Sequence, residues 1–116
     1  MADSLKIDVL EDARFVVLTP RGEIGYQEAP ALRTYLRQAF ERKPGRVVAD
    51  LSGVSYMSTP GLATLVEALQ LSKRQSTPFY LCGLTERVRA IFEIAKLQTV
   101  FTIVGDVATA RTREPG

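Results

Sequence analysis

The stretch Val47-Val48-Ala49-Asp50-Leu51-Ser52-Gly53-Val54-Ser55-Tyr56-Met57-Ser58-Thr59-Pro60-Gly61-Leu62 carries a buried-strand pattern into a cluster of hydroxyls where a helix begins. The run from Arg46 to Leu51 is short and mostly apolar, as in a strand covered on both faces, and reads as the central strand of a sheet. Pro60 suits the first helical position, where a missing N–H removes no bond, so Thr59 is the expected N-cap. Leu62, Leu65, Val66 and Leu69 then fall at the spacing of one helix face, which predicts a helix from Pro60 to Arg74. A hydroxyl at such a start has two readings. It is a cap, or it is a phosphoacceptor, because a phosphate there meets free N–H groups and the positive end of the helix dipole.

Upstream, Leu5 to Leu10 alternates apolar and polar residues, and Arg14 to Thr19 is β-branched and aromatic, with Glu11-Asp12-Ala13 between them. This predicts two antiparallel strands. Pro20 and Gly22 break the pattern, and Gly25-Tyr26-Gln27-Glu28 leads into a helix over about residues 28 to 42. Its apolar face is Leu32, Tyr35, Leu36, Ala39 and Phe40, its wet face Arg33, Arg37 and Gln38, and Pro44-Gly45 stops it. Downstream, Ser76-Thr77-Pro78 forms a turn and Phe79 to Cys82 a strand. Thr85 can cap a third helix striped by Val88, Ile91, Phe92 and Ala95, and Val100 to Val104 reads as a last strand. Asp106 starts a short terminal helix through Ala108, Ala110 and Arg111, before a frayed Arg113-Glu114-Pro115-Gly116 tail. The expected fold is α/β, a mixed but mainly parallel sheet of about five strands with an initial antiparallel strand and about four helices.

At 116 residues, 46% hydrophobic and 24% charged, the chain has the size of one globular domain spanning residues 1–116. Its 15 basic and 13 acidic residues give a net charge of +2 with no concentrated basic face, which argues against direct nucleic-acid binding; Arg42-Lys43-Pro44-Gly45-Arg46 is a solvated turn. No apolar run approaches the roughly 20 residues that span a bilayer, and Met1-Ala2-Asp3-Ser4 lacks the features of a signal peptide, so a cytoplasmic protein with no membrane insertion is expected. The absence of histidine removes the commonest general base and transition-metal ligand together, which excludes a Ser-His-Asp triad. With no Gly-rich phosphate loop or clustered carboxylate pair either, the chain is expected to be no enzyme and to need no metal or cofactor. Cys82, alone and in an apolar strand, can form no internal disulfide.

The order of elements, with Gly22-Glu23-Ile24, Val47 to Met57 and Cys82-Gly83-Leu84-Thr85-Glu86-Arg87-Val88-Arg89, resembles the STAS superfamily from about residue 5 to about residue 110. Within it the chain is similar to the stand-alone anti-sigma factor antagonists. The resemblance implies a bacterial regulator of transcription that binds an anti-sigma factor, often one with serine/threonine kinase activity, releases a sigma factor, and is switched off by phosphorylation. In that family the acceptor is the first serine of Asp-Ser-Ser-Gly or Asp-Ser-Thr-Gly. Here Ser58 stands in place of the aspartate, Thr59 in place of the phosphorylated serine, Pro60 follows, and Gly61 matches the glycine. The implied phosphoacceptor is Thr59, with Ser58 second. Pro60 would leave the N–H groups of Gly61 and Leu62 to hold a phosphate.

The implied partner surface is Gly22, Glu23, Ile24 and Tyr26 on the loop from Arg21, together with Ser58, Thr59, Pro60, Gly61 and an exposed helix face of Thr64, Glu67 and Lys73. Bland readings stand beside these: Gly22 serves a positive φ, Gly61 close packing, Glu67 solvation, and Tyr26 either a staple on the core or an interface anchor. Asp50, at the end of the central strand, either faces a ligand or stabilises a turn. The altered motif also supports a second function, a constitutive STAS subunit that docks on a membrane transporter such as a lipid-transport ATP-driven complex, with no phosphate.

Overall fold

A computed structural model describes residues 5–12 and 14–113, in which alternating strands and helices build one mixed sheet. The elements are β1 (Lys6–Glu11), β2 (Phe15–Ile24), α1 (Ala29–Glu41), β3 (Arg46–Asp50), β4 (Gly53–Met57), α2 (Thr59–Gln75), β5 (Phe79–Cys82), α3 (Glu86–Ile94), β6 (Thr102–Val104) and α4 (Val107–Thr112). The order across the sheet is β1-β2-β3-β5-β6, with β4 also on β2. Among the described residues only β1 runs antiparallel to its neighbour. The reading of Met1-Ala2-Asp3-Ser4, of Ala13 in the turn and of the frayed Glu114-Pro115-Gly116 end lies outside the described residues.

Three expectations are corrected. The second strand does not break at Pro20 and Gly22 but continues to Ile24. Its first half pairs with β3 as far as Leu18↔Ala49, and its second half pairs with β4 from Arg21↔Gly53. Pro20, which has no N–H to give a ladder, falls in the gap between those two partners. Gly22 takes a φ of 109°, open to glycine at little cost, where the register shifts before Glu23.

The second correction is a sixth strand. Residues Gly53–Met57, read above only as a run-up to the helix, form β4, with Val54 and Met57 buried and Ser55 exposed. It follows β3 after a turn in which Asp50 Oδ1 accepts the Ser52 N–H at 3.0 Å, so the turn reading of Asp50 holds. The last strand also begins two residues late: the Val100 N–H is held by the Leu97 carbonyl at 3.0 Å, and buried Phe101 packs on Phe79 and Phe92.

Helices α1, α2 and α3 cover one face of the sheet and bury Leu32, Leu36, Phe40, Leu65, Val88 and Phe92 against Val16, Val47 and Leu81. On the other face α4 brings Ala110 and Val107 onto Phe15, Val17, Val48, Tyr80 and Cys82. Among the described residues no helix is long and apolar enough to cross a membrane.

Candidate functional site

Parallel strands β2 and β4 end side by side at Ile24 and Met57, and that pairing sets the start of α2. The Ser58 N–H donates to the Ile24 carbonyl at 2.8 Å, which holds Ser58 extended at φ −79° and ψ 171°. Its Oγ accepts the Gly61 N–H at 3.2 Å. Ser58 is therefore the N-cap, and the expectation that Thr59 caps is corrected: Thr59 is the first helical residue and Pro60 the second. A proline is tolerated there too, because no N–H of the first turn has an intrahelical partner to lose.

This arrangement also overturns the phosphate-holding role given to two backbone groups. The Gly61 N–H is taken by Ser58 Oγ and the Leu62 N–H by the Ser58 carbonyl at 2.9 Å. With Pro60 lacking a donor, only the Thr59 N–H remains in that turn for an anion.

Of the predicted partner residues, Gly22 and Glu23 are exposed, Thr59 is exposed, Pro60 is half-buried, and Tyr26 is 76% exposed and so is no staple on the core. Ser58, Gly61, Ile24 and Thr64 are buried and cannot form a docking surface as they stand. Each has a packing reason. A Cβ on Gly61 would lie 2.9 Å from Ile24 Cγ2 and 3.1 Å from the Ile24 carbonyl oxygen, so the helix approaches the strand as only glycine allows. Thr64 turns inward and donates its hydroxyl to the Gly61 carbonyl at 2.7 Å. Glu67 is not simply solvated either, since it accepts from Arg33 Nε at 3.0 Å and Nη2 at 3.1 Å, a part-buried fork that ties α1 to α2. Lys73 is exposed but lies about 20 Å along the helix from Thr59, by the rise per residue, and not near it.

Sequence reasoning missed one part of the site. Thr59 stands on the rim of a groove of about 270 Å³ between α2 and α3, lined by Tyr56, Leu62, Ile91, Ile94 and Ala95. Ile94 is 83% exposed, and the Arg87 guanidinium lies 5.4 Å from the centre of the Tyr56 ring. The signal was present: Ile94 falls outside the buried stripe of Val88 and Phe92, an apolar side chain on the outward side of its helix.

The strand ends of this α/β sheet thus present an exposed threonine beside an apolar groove. The STAS-domain family model matches residues 6–110, and the chain belongs to that family. It is 30% identical over 102 residues to the anti-sigma-B factor antagonist of Listeria monocytogenes, covering 86% of this chain and 89% of that one. An anti-sigma factor antagonist from Mycobacterium paratuberculosis superposes with a TM-score of 0.84 at 23% identity, covering 93% of this chain and 92% of its own. The Bacillus cell fate determinant SpoIIAA, in its phosphorylated form, superposes with a TM-score of 0.69 at 15% identity, over 94% and 99% of the two chains.

Proposed function

We propose that this chain is an anti-sigma factor antagonist, a non-catalytic single domain that works in the cytoplasm by binding an anti-sigma factor and releasing a sigma factor for transcription. The partner carries serine/threonine kinase activity and switches the contact off by phosphorylating Thr59. The observation that carries this reading is the placement of Thr59, an exposed hydroxyl residue at the position of the family's acceptor, on the rim of an apolar groove. The names of its relatives, one of them in a phosphorylated form, support it.

The geometry supplies a mechanism. A partner that closes over Tyr26, Thr59 and the Ile91–Ile94 face strips water from the groove rim, which is favourable while the rim is neutral. A phosphate adds about −1.5 to −2 charges there and must be dehydrated on closure. Since the Gly61 and Leu62 N–H groups are already bonded, the helix start compensates that charge poorly, and the contact is lost.

Site-localised peptide mass spectrometry on protein from its own cells, under two growth conditions, tests the reading. A Thr59 phosphate whose occupancy changes between conditions is expected. Thr59→Glu should weaken binding to the captured anti-sigma factor at least about tenfold, close to 1.4 kcal/mol, and Thr59→Ala should preserve it. Unmodified protein in both conditions, co-purifying with a transporter complex, would replace this function with the constitutive-subunit reading that the altered Ser58-Thr59-Pro60-Gly61 motif favours.

A further inference from the structure

Strand β1 is an edge of the sheet, bonded to β2 on one side and, among the described residues, to no strand on the other. The Asp12 N–H donates to the Phe15 carbonyl at 3.0 Å, which continues the register that sets Lys6 opposite Arg21. Backbone groups in an antiparallel strand turn alternately toward and away from one neighbour, so Ile7, Val9 and Glu11 aim their N–H and carbonyl groups off the sheet. Two apolar side chains flank that open ladder, Val9 at 42% and Leu10 at 58% exposure, and neither belongs to an apolar cluster of the fold. The strand carries no proline or register shift to blunt its edge.

The charges along β1 decide what fits there. Asp8 pairs with Arg21 at 2.8 Å, and Glu11 pairs with Arg42. Among the described residues Lys6 and Asp12 form no ion pair, and Asp12 meets the Arg14 and Phe15 N–H groups through Oδ1. The edge therefore ends in a free cation on one side and a free anion on the other, which an antiparallel copy of the same strand brings together. A two-fold axis through the sheet keeps like faces together, so opposed residues are an even number of positions apart. With the axis at Val9, Val9 lies opposite Val9, Ile7 opposite Glu11, Asp8 opposite Leu10 and Lys6 opposite Asp12. The outward backbone groups of Ile7, Val9 and Glu11 then all bond one another. Moving the axis by one residue sets Asp8 opposite Asp8 or opposite Asp12, like charges that disfavour the pairing. Moving it further leaves no more than half of β1 paired.

We propose that two copies of this chain join antiparallel along β1, about a two-fold axis at Val9, into one continuous sheet. The contact shares no residue with the Thr59 groove and does not rest on the switch.

Sedimentation velocity on the full chain over a concentration series tests it, with crosslinking to read the register. A reversible monomer–dimer equilibrium is expected, with amide exchange at Ile7, Val9 and Glu11 slowing as concentration rises. Lys6→Glu turns both Lys6–Asp12 contacts into repulsions and should weaken the dimer about tenfold with an unchanged melting curve, whereas Arg89→Gln, which removes an exposed cation on α3, should leave it as it is. Under mild oxidation Val9→Cys should give a disulfide-linked dimer, because paired Cα atoms at the axis stand about 5.5 Å apart, and Leu10→Cys should not, because its copies are offset along the strands. Cys82 is buried, so the introduced thiol is the one that reacts. A monomer at every concentration, an equal loss in Arg89→Gln, or crosslinking by Leu10→Cys in preference to Val9→Cys would each overturn the proposal.

Discussion

Ser58 is buried with its hydroxyl on the Gly61 N–H, while Thr59 beside it is exposed, so capping and the proposed switching are separable by mutation. Ser58→Ala should cost the fold about 1 kcal/mol in urea denaturation, the ordinary loss of an N-cap, whereas Thr59→Ala should stay within about 0.5 kcal/mol as a surface change. The reverse order would return the cap to Thr59. Gly61 gives a sharper residue-scale test. Alanine would gain about 1 kcal/mol of helix propensity but push a Cβ to within 2.9 Å of Ile24, whose carbonyl also holds the Ser58 N–H. Overpacking of this kind typically costs about 1–3 kcal/mol, so Gly61→Ala should be destabilising on balance, with faster amide exchange at Ser58 as the local sign. Stability equal to or above that of the parent would mean that Ile24 can yield.

At the scale of elements, the proposed partner contact would use the α2–α3 groove, and with it the outward side of α3. Ile94 is 83% exposed and contributes little to the core, so Ile94→Glu should leave the melting temperature unchanged and weaken anti-sigma factor binding about tenfold or more, read by surface plasmon resonance. Unaltered affinity would remove α3 from the interface. The elements also show which parts of this molecule a sequence discloses. Strand β3 and helices α1 to α3 were legible because a continuous apolar run or a 3.6-residue stripe is written in consecutive residues. Strand β4 was not, because its five residues follow directly on a turn at Ser52 and pair with a strand some thirty positions earlier, a partner that no local pattern names. Pro20 misled for the same reason: its cost depends on which neighbour β2 has at that point. Within the site, the hydroxyl cluster was legible from Pro60 and the first turn, but burial of Ile24 and Thr64 and exposure of Ile94 depend on how three elements meet.

The whole molecule has two apolar layers of unequal cover, three helices on one face of the sheet and the short α4 on the other. Cys82 belongs to the thinner layer, fully buried among Val48, Tyr80, Val104 and Ala110. Burial, and then the charges of Asp50 and Asp106, push its thiol from 9.0 up to about 12. A raised value means that the folded chain keeps a proton which the unfolded chain has already released. Stability linked to that proton is therefore complete below pH 9.0 and lost as the pH climbs through about 12. Across that window the loss should approach about 1.4 kcal/mol per pH unit for this one group. Tyrosines and lysines titrate there too, so the measurement is a difference: urea unfolding of the parent and of Cys82→Ala at a series of alkaline pH values. The variant should start less stable, because it leaves a small void, and then lose stability more slowly, so that the two curves converge with rising pH. Parallel curves would mean that the layer beneath α4 opens to water readily enough for the thiolate to be solvated, and that α4 is a loosely held cover and not part of the cooperative fold.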